Sequence, residues 1–325
     1  MTAPSPTRGL RGWWIAILAV ILAFLLVAAG VIWWFGGVGS MIGREQCVAT
    51  HGEDSVSLDL EQAQLAATIA ASASRRQLPA RAVTVGLATA IQESKLHNLK
   101  EGDHDSAGMF QQRPSQGWGS FAQVTDPTYA TDQFFDALTG VDGWETLAIT
   151  KAAQAVQQSA YPAAYQQHVV DARILTATFT GRAGAALTCV IRAEDQPTQA
   201  ETETGLTPRA QRLREAMETA VGPLSLGGFA PGGVTRANPS AHNEGRAIDV
   251  FFRPYKNADQ RQHGWAMANW LLAHAYRLNI AIVIYRDLIW SAARSPEGWR
   301  EYTSPYGDPS DPVLRHLDHI HVEVA

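Results

Sequence analysis

Residues 13–35 (WWIAILAVILAFLLVAAGVIWWF) carry no charged side chain, and this run constrains the chain more than any other feature. As a helix rising ~1.5 Å per residue it would reach ~35 Å, enough for a ~30 Å hydrocarbon core. Trp13, Trp14, Trp33 and Trp34 fall at its two ends, where amphipathic rings favour the headgroup layer. A cleaved secretory leader is the competing reading, with Ala28-Ala29-Gly30 as its small-residue site. The bulky apolar run beyond that site, and a length above the usual roughly 7–15 residues, favour a retained anchor. Arg8 and Arg11 precede the run, while Arg44 beyond it is offset by Glu45. The small positive bias puts residues 1–12 in the cytoplasm and the chain after about residue 40 outside the membrane.

That compartment alters the reading of Cys47 and Cys189, the only two cysteines in 325 residues. Outside the membrane a disulfide persists, and closing so long a loop stabilises by up to about 5 kcal/mol in the chain-entropy model. Two buried free thiols are the alternative. The formal net charge of −5 demotes a duplex nucleic acid as partner, because such binders present a basic field. The length suits two domains.

Helical spacing predicts a first helix over 58–77, with Ser57 as N-cap, and a second from Pro79 through 80–95. Pro127 opens a third, and 150–158 and 162–178 continue the pattern. No strand alternation is evident between 55 and 180. Residues 98–120 hold Gly102, Gly108, Gly117, Gly119 and Pro114, the mark of a long functional loop. Residues 191–207 read as a linker, being polar and acidic over 193–207. Beyond it a helix over 208–221, a strand over 246–252, an amphipathic helix over 258–277 and strands over 280–285 and 319–324 predict an α+β block. Trp265, Trp270, Leu271, Leu272 and Tyr276 are expected in its core.

Two elements of the first block carry chemistry. Gln92-Glu93-Ser94 ends the second helix, and Ser106-Ala107-Gly108-Met109-Phe110-Gln111-Gln112 lies in the glycine-rich loop. The helix dipole penalises an anion at a C-terminus, and a carboxyl that keeps its proton near neutral pH is what a general acid needs. Ala90-Ile91-Gln92-Glu93-Ser94 and Ala107-Gly108-Met109-Phe110-Gln111 resemble the Glu-Ser and Gly-hydrophobic-Gln motifs of the lysozyme-like lytic transglycosylase family, over roughly 55–190. The resemblance implies Glu93 as general acid, with Ser94 and Gln111 positioning substrate. The run Gln111 to Gly119 departs from that pattern. Asp103-His104-Asp105 in the same loop offers a weaker metal or second-carboxylate candidate.

The C-terminal block is sharper. Ser240-Ala241-His242-Asn243-Glu244-Gly245-Arg246-Ala247-Ile248-Asp249 is followed by His316-Leu317-Asp318-His319-Ile320-His321. His and Asp donors suit Zn²⁺, His319 and His321 share a strand face, and strand pairing can bring Asp249 to His321. Three ligands leave one tetrahedral position for water. The two motifs resemble the D-alanyl-D-alanine carboxypeptidase branch of the superfamily that joins lysostaphin-type peptidases and hedgehog domains, over about 208–325. The resemblance implies one zinc on His242, Asp249 and His321, with His319 assisting catalysis. Where the branch carries Glu three residues before the last ligand, this chain carries Asp318, one methylene shorter. Arg236 is a candidate for a substrate carboxylate or simply a solvated side chain.

The expected fold is therefore multidomain: an N-terminal transmembrane helix (13–35), a mostly-α lysozyme-like domain (45–190), a linker (191–207) and an α+β zinc-peptidase-like domain (208–325). The resemblances imply a membrane-anchored bifunctional peptidoglycan hydrolase of the bacterial envelope. The alternatives are a non-catalytic wall-binding component of an envelope assembly or secretion machine, and a metal-handling surface protein.

Overall fold

In a computed structural model, which describes residues 44–325, the chain begins with a hairpin of β1 (Gln46–His51) and β2 (Asp54–Leu58). Helices α1 (Leu60–Arg75) and α2 (Ala80–Ser94) follow. Strand β2 runs to Leu58, so α1 starts later than Ser57 would allow. Asp59 caps it instead, in a reciprocal box with Gln62 at 2.9 Å each way. After the glycine-rich loop come α3 (Phe121–Val124), α4 (Pro127–Thr139) and α5 (Ile149–Gln157). The stretch predicted as one helix over 162–178 divides into a 3₁₀ segment, Ala164–His168, and α6 (Val169–Phe179). Strand β3 (Leu187–Val190) then returns to β1.

The second block holds α7 (Pro208–Val221), β4 (Leu226–Gly227), β5 (Ala247–Phe251), α8 (Ala258–Ala273), β6 (Ile280–Tyr285), β7 (Leu288–Ser291), β8 (Arg300–Glu301) and β9 (His319–Val324). Its antiparallel sheet has the order β4-β5-β9-β6-β7-β8. Helix α8 packs on one face, against β6 and β9, where Ile248, Val250, Ile320, Val322 and Val283 are buried. The opposite face carries the polar residues described below.

The expected fold class needs correction. Among the described residues no helix is long and apolar enough to cross a membrane; the run 13–35 lies outside them. The first block is mixed rather than helical, with a three-stranded sheet in the order β2-β1-β3. Strands of four to six residues separated by so much helix leave almost no periodic signal. Cys47 and Cys189 face each other in the β1–β3 register and are bonded, with Cα atoms 4.0 Å apart.

Residues Glu45–Ala325 form one compact unit. Helix α8 rests on α1 and α6. The buried Asn269 amide donates to Thr178 O at 2.8 Å and Gly184 O at 3.0 Å. The indoles of Trp290 and Trp299 donate to Cys189 O and Leu187 O at 3.1 and 3.0 Å. The acidic stretch before α7 is pinned as well: buried Arg209 donates to Pro197 O and Ala325 O. Trp270, Leu271 and Leu272 are in the core as expected, but Tyr276 lies beyond the end of α8 and is 42% exposed.

Asn269→Leu removes two hydrogen bonds that tie α8 to the end of α6, although each carbonyl keeps one backbone donor, from Gly181 and Ala186, so the cost is about 1 kcal/mol. Urea unfolding of the full-length protein should show this as a lower midpoint. Circular dichroism and tryptophan fluorescence should still change together, because both blocks share one core.

Candidate functional site

Antiparallel pairing sets Asp249 opposite His321 and Phe251 opposite His319. With a side-chain period of two, Asp249, His319, His321 and Glu323 stand on the face away from α8. His242 arrives from a 3₁₀ turn, Ala241–Glu244, that Ser240 caps by accepting from the His242 amide. His242, Asp249 and His321 are buried, and their ligand atoms lie within 4.8 Å of one another. They form a group able to hold a metal ion.

The hydrogen bonds around the group assign its donor atoms. His242 donates from Nδ1 to Gly228 O at 2.8 Å, which leaves Nε2 as the free lone pair. His321 donates from Nε2 to Glu323 Oε1 at 2.8 Å, which leaves Nδ1 free. These two bare nitrogens lie 3.1 Å apart, and each is 3.2 Å from Asp249 Oδ1. Outer partners that fix ring orientation and tautomer are the usual surroundings of metal-binding histidines. Burial alone would raise the Asp249 carboxyl, but His242 and His321 outweigh it and hold it well below the carboxylate range. Burial pulls His321 down, yet Asp249 and Glu323 overcome this and raise it to about 9, so without a cation Nδ1 holds a proton toward Asp249 Oδ1, and a bound cation would take that proton's place. The cluster's field favours positive charge.

The other members are grouped around it. His319 donates from Nδ1 to Asp318 Oδ1 at 2.8 Å, and its Nε2 is 3.9 Å from Asp249 Oδ1. Arg253 contacts Asp318 Oδ2 through Nε and Nη2, both at 2.7 Å. Arg236 reaches Asp249 Oδ2 at 3.3 Å. Its guanidinium, a candidate for a substrate carboxylate in the sequence, thus meets a carboxylate of the chain itself. His316, with its ring 4.7 Å from that of His319, is held neutral by burial and by the neighbouring imidazoles, its pKa lowered to about 3.

Glu93 is the penultimate residue of α2 and lines a groove of 890 Å³ with Asp103, Ser106, Gln111 and Trp118. The buried Tyr165 hydroxyl donates to Glu93 Oε1 at 2.8 Å. Burial pushes this phenol up, and Glu93 adds to the shift, so it stays a donor. Gln111 is in the groove wall, bonded to Ser106 Oγ and Gly108 O. Ser94 is elsewhere: its buried hydroxyl donates to Ala90 O and Met109 O and ties the helix end to the loop. Gly108 has φ +78, and a Cβ there would strike Val124 O. In the Asp103-His104-Asp105 loop, Asp105 is taken by Arg113, then Ser115, which hold it well below the usual range. These three residues do not form a ligand group.

Tyr165, Gly228, Glu323 and Arg253 were not singled out from the sequence. Strand alternation from His321 could have found Glu323. The others are joined to their sites only by the fold.

Gly228 has φ +83, and a Cβ there would collide with the His242 ring and approach Asp249 Oδ2 at 3.0 Å. Gly228→Ala should lower metal affinity at least about tenfold in a chelator-competition titration. Gly232 has φ +81 and open space around it, so Gly232→Ala should share the backbone strain and keep the affinity.

Among known proteins, a family profile described as "VldE, C-terminal domain" matches residues 202–313. The matched stretch contains His242 and Asp249 and stops before His319 and His321. No curated protein matches the chain.

Proposed function

We propose that this chain cuts peptidoglycan outside the cytoplasm, opening glycan strands at Glu93 and stem peptides at a Zn²⁺ centre on His242, Asp249 and His321. The donor triangle carries the reading, with edges of 3.1, 3.2 and 3.2 Å between the two bare imidazole nitrogens and Asp249 Oδ1. A tetrahedral ion with bonds of ~2.0–2.1 Å has ligand edges of ~3.3–3.4 Å, and three protein ligands leave a fourth position open. When bound, the cation polarises a peptide carbonyl and makes water more acidic. The chain's own residues do the rest. His319 moves a proton through Nε2 on the metal side. Asp318 fixes its tautomer by accepting from Nδ1.

In the groove, Tyr165 holds Glu93 Oε1, so Oε2 is the oxygen that carries a proton to the glycosidic bond. Gln111 and Ser106 line the same groove and offer amide and hydroxyl groups to a sugar. The Cys47–Cys189 bond suits an oxidising compartment. A single polymer that contains both glycosidic and peptide bonds accounts for two such sites in one chain.

The test is digestion of purified peptidoglycan by the full-length protein, with mass analysis of the new ends. Glu93→Gln should lower the release of new sugar ends at least about a hundredfold and spare the peptide ends. Asp249→Ala should lose the metal and the peptide ends and spare the sugar ends. No release of either kind by the parent would overturn the reading in favour of a wall-binding scaffold.

A further inference from the structure

The two carboxylates of the metal centre are held in the same manner. Each turns one oxygen toward imidazole and offers the other to an arginine from outside. Asp249 gives Oδ1 to His242 and His321, and Oδ2 to Arg236. Asp318 gives Oδ1 to His319 and Oδ2 to Arg253. Arg253 is the more firmly placed of the two arginines. Its guanidinium lies 4.1 Å over the Phe251 ring, and Phe251 is the cross-strand partner of His319. The Phe252 amide donates to Asp318 O at 2.8 Å, which keeps the two segments in step.

We propose that Arg253 is a positioning residue of the metal centre: it fixes Asp318 so that Asp318 accepts the Nδ1–H of His319, which keeps the proton on Nδ1 and leaves His319 Nε2 bare on the metal side. With Oδ1 bonded to His319 and Oδ2 forked by Arg253, both oxygens of Asp318 are engaged, and the carboxylate is held at the far edge of the His319 ring from Nε2. The carboxylate one methylene shorter than Glu is an orienter, and the proton acceptor is His319. The Arg253 side chain is 57% exposed, and an ion pair so exposed contributes little to stability. Its effect is on geometry. A histidine's reactive nitrogen is chosen by the hydrogen bond on its other nitrogen, and here that bond depends on Asp318.

Only the effect on turnover rests on the peptidase reading; the effect on His319 does not. Full-length protein labelled with ¹⁵N-histidine and loaded with Zn²⁺ is compared with Arg253→Gln and Arg236→Gln. His319→Gln assigns the signal. The parent should show His319 as a single Nδ1–H tautomer. Arg253→Gln should lose that single tautomer, keep one zinc per chain, and lower kcat on a stem peptide about tenfold at unchanged KM. Guanidinium added to Arg253→Gly should restore turnover. Arg236→Gln, which touches a ligand, should lower zinc affinity and leave the His319 tautomer as it is. An unchanged tautomer in Arg253→Gln, a raised KM with the tautomer retained, or loss of zinc would each overturn the proposal. If the parent cleaves no peptide, the functional reading fails, and the tautomer comparison still decides the role of Arg253.

Discussion

The pairing of β5 with β9 is the constraint on which the rest depends. Because side chains alternate along a strand, one register serves both faces. It buries Ile248, Val250, Ile320 and Val322 on the α8 side and sets Asp249 across from His321 on the other. A slip of one residue would turn both histidines into the core and expose Ile320, Val322 and Val324. Both ends of the pair resist such a slip. Arg246 O accepts from Val324 N and Arg246 Nη1 donates to Val324 O, while Phe252 N bonds Asp318 O. Strand β9 is also flanked by β6 on its far side. Two of the three residues able to hold a metal, Asp249 and His321, therefore stand on paired interior strands, where a site is held more tightly than on a loop; His242 joins them from a 3₁₀ turn.

That sheet does not stand alone. Strand β3, from the first block, offers its carbonyls to Trp290 and Trp299 of the second. The disulfide at Cys189 ties β3 to β1. The Asn269 amide spans from α8 to the end of α6. The indole and amide hydrogen bonds satisfy polar groups at the junction, and leaving a buried one unmet is costly. The two blocks are therefore bound by polar bookkeeping as well as by apolar contact.

What was legible in the sequence follows from range. The Ser240–Asp249 and His319–His321 spacings are local, so a turn and two strands suffice to read them. Gly228, Tyr165 and Arg253 act across 14, 72 and 65 residues of sequence, and no periodicity links such pairs. Composition does not show what packing decides. Residues 193–207 have a linker's polarity, yet Arg209 fastens them to the body. Ser57 has an N-cap's chemistry, yet a strand already occupies it. Ser94 lies next to Glu93 in a motif, yet its hydroxyl is spent on the Met109 carbonyl.

The carboxylates show how partners set the task of a side chain. Asp249 and Asp318 have both oxygens engaged, by imidazoles within and arginines without. Burial raises each of them, and these partners overcome it and keep both ionised. A carboxylate so committed can hold a cation or orient a ring, and its lowered basicity makes it a poor carrier of a proton. Glu93 stands in a groove wall with Oε1 bonded to a neutral phenol, and Oε2 remains open to whatever enters. The same functional group is thus engaged through both oxygens on one sheet face and left with an open oxygen in the groove.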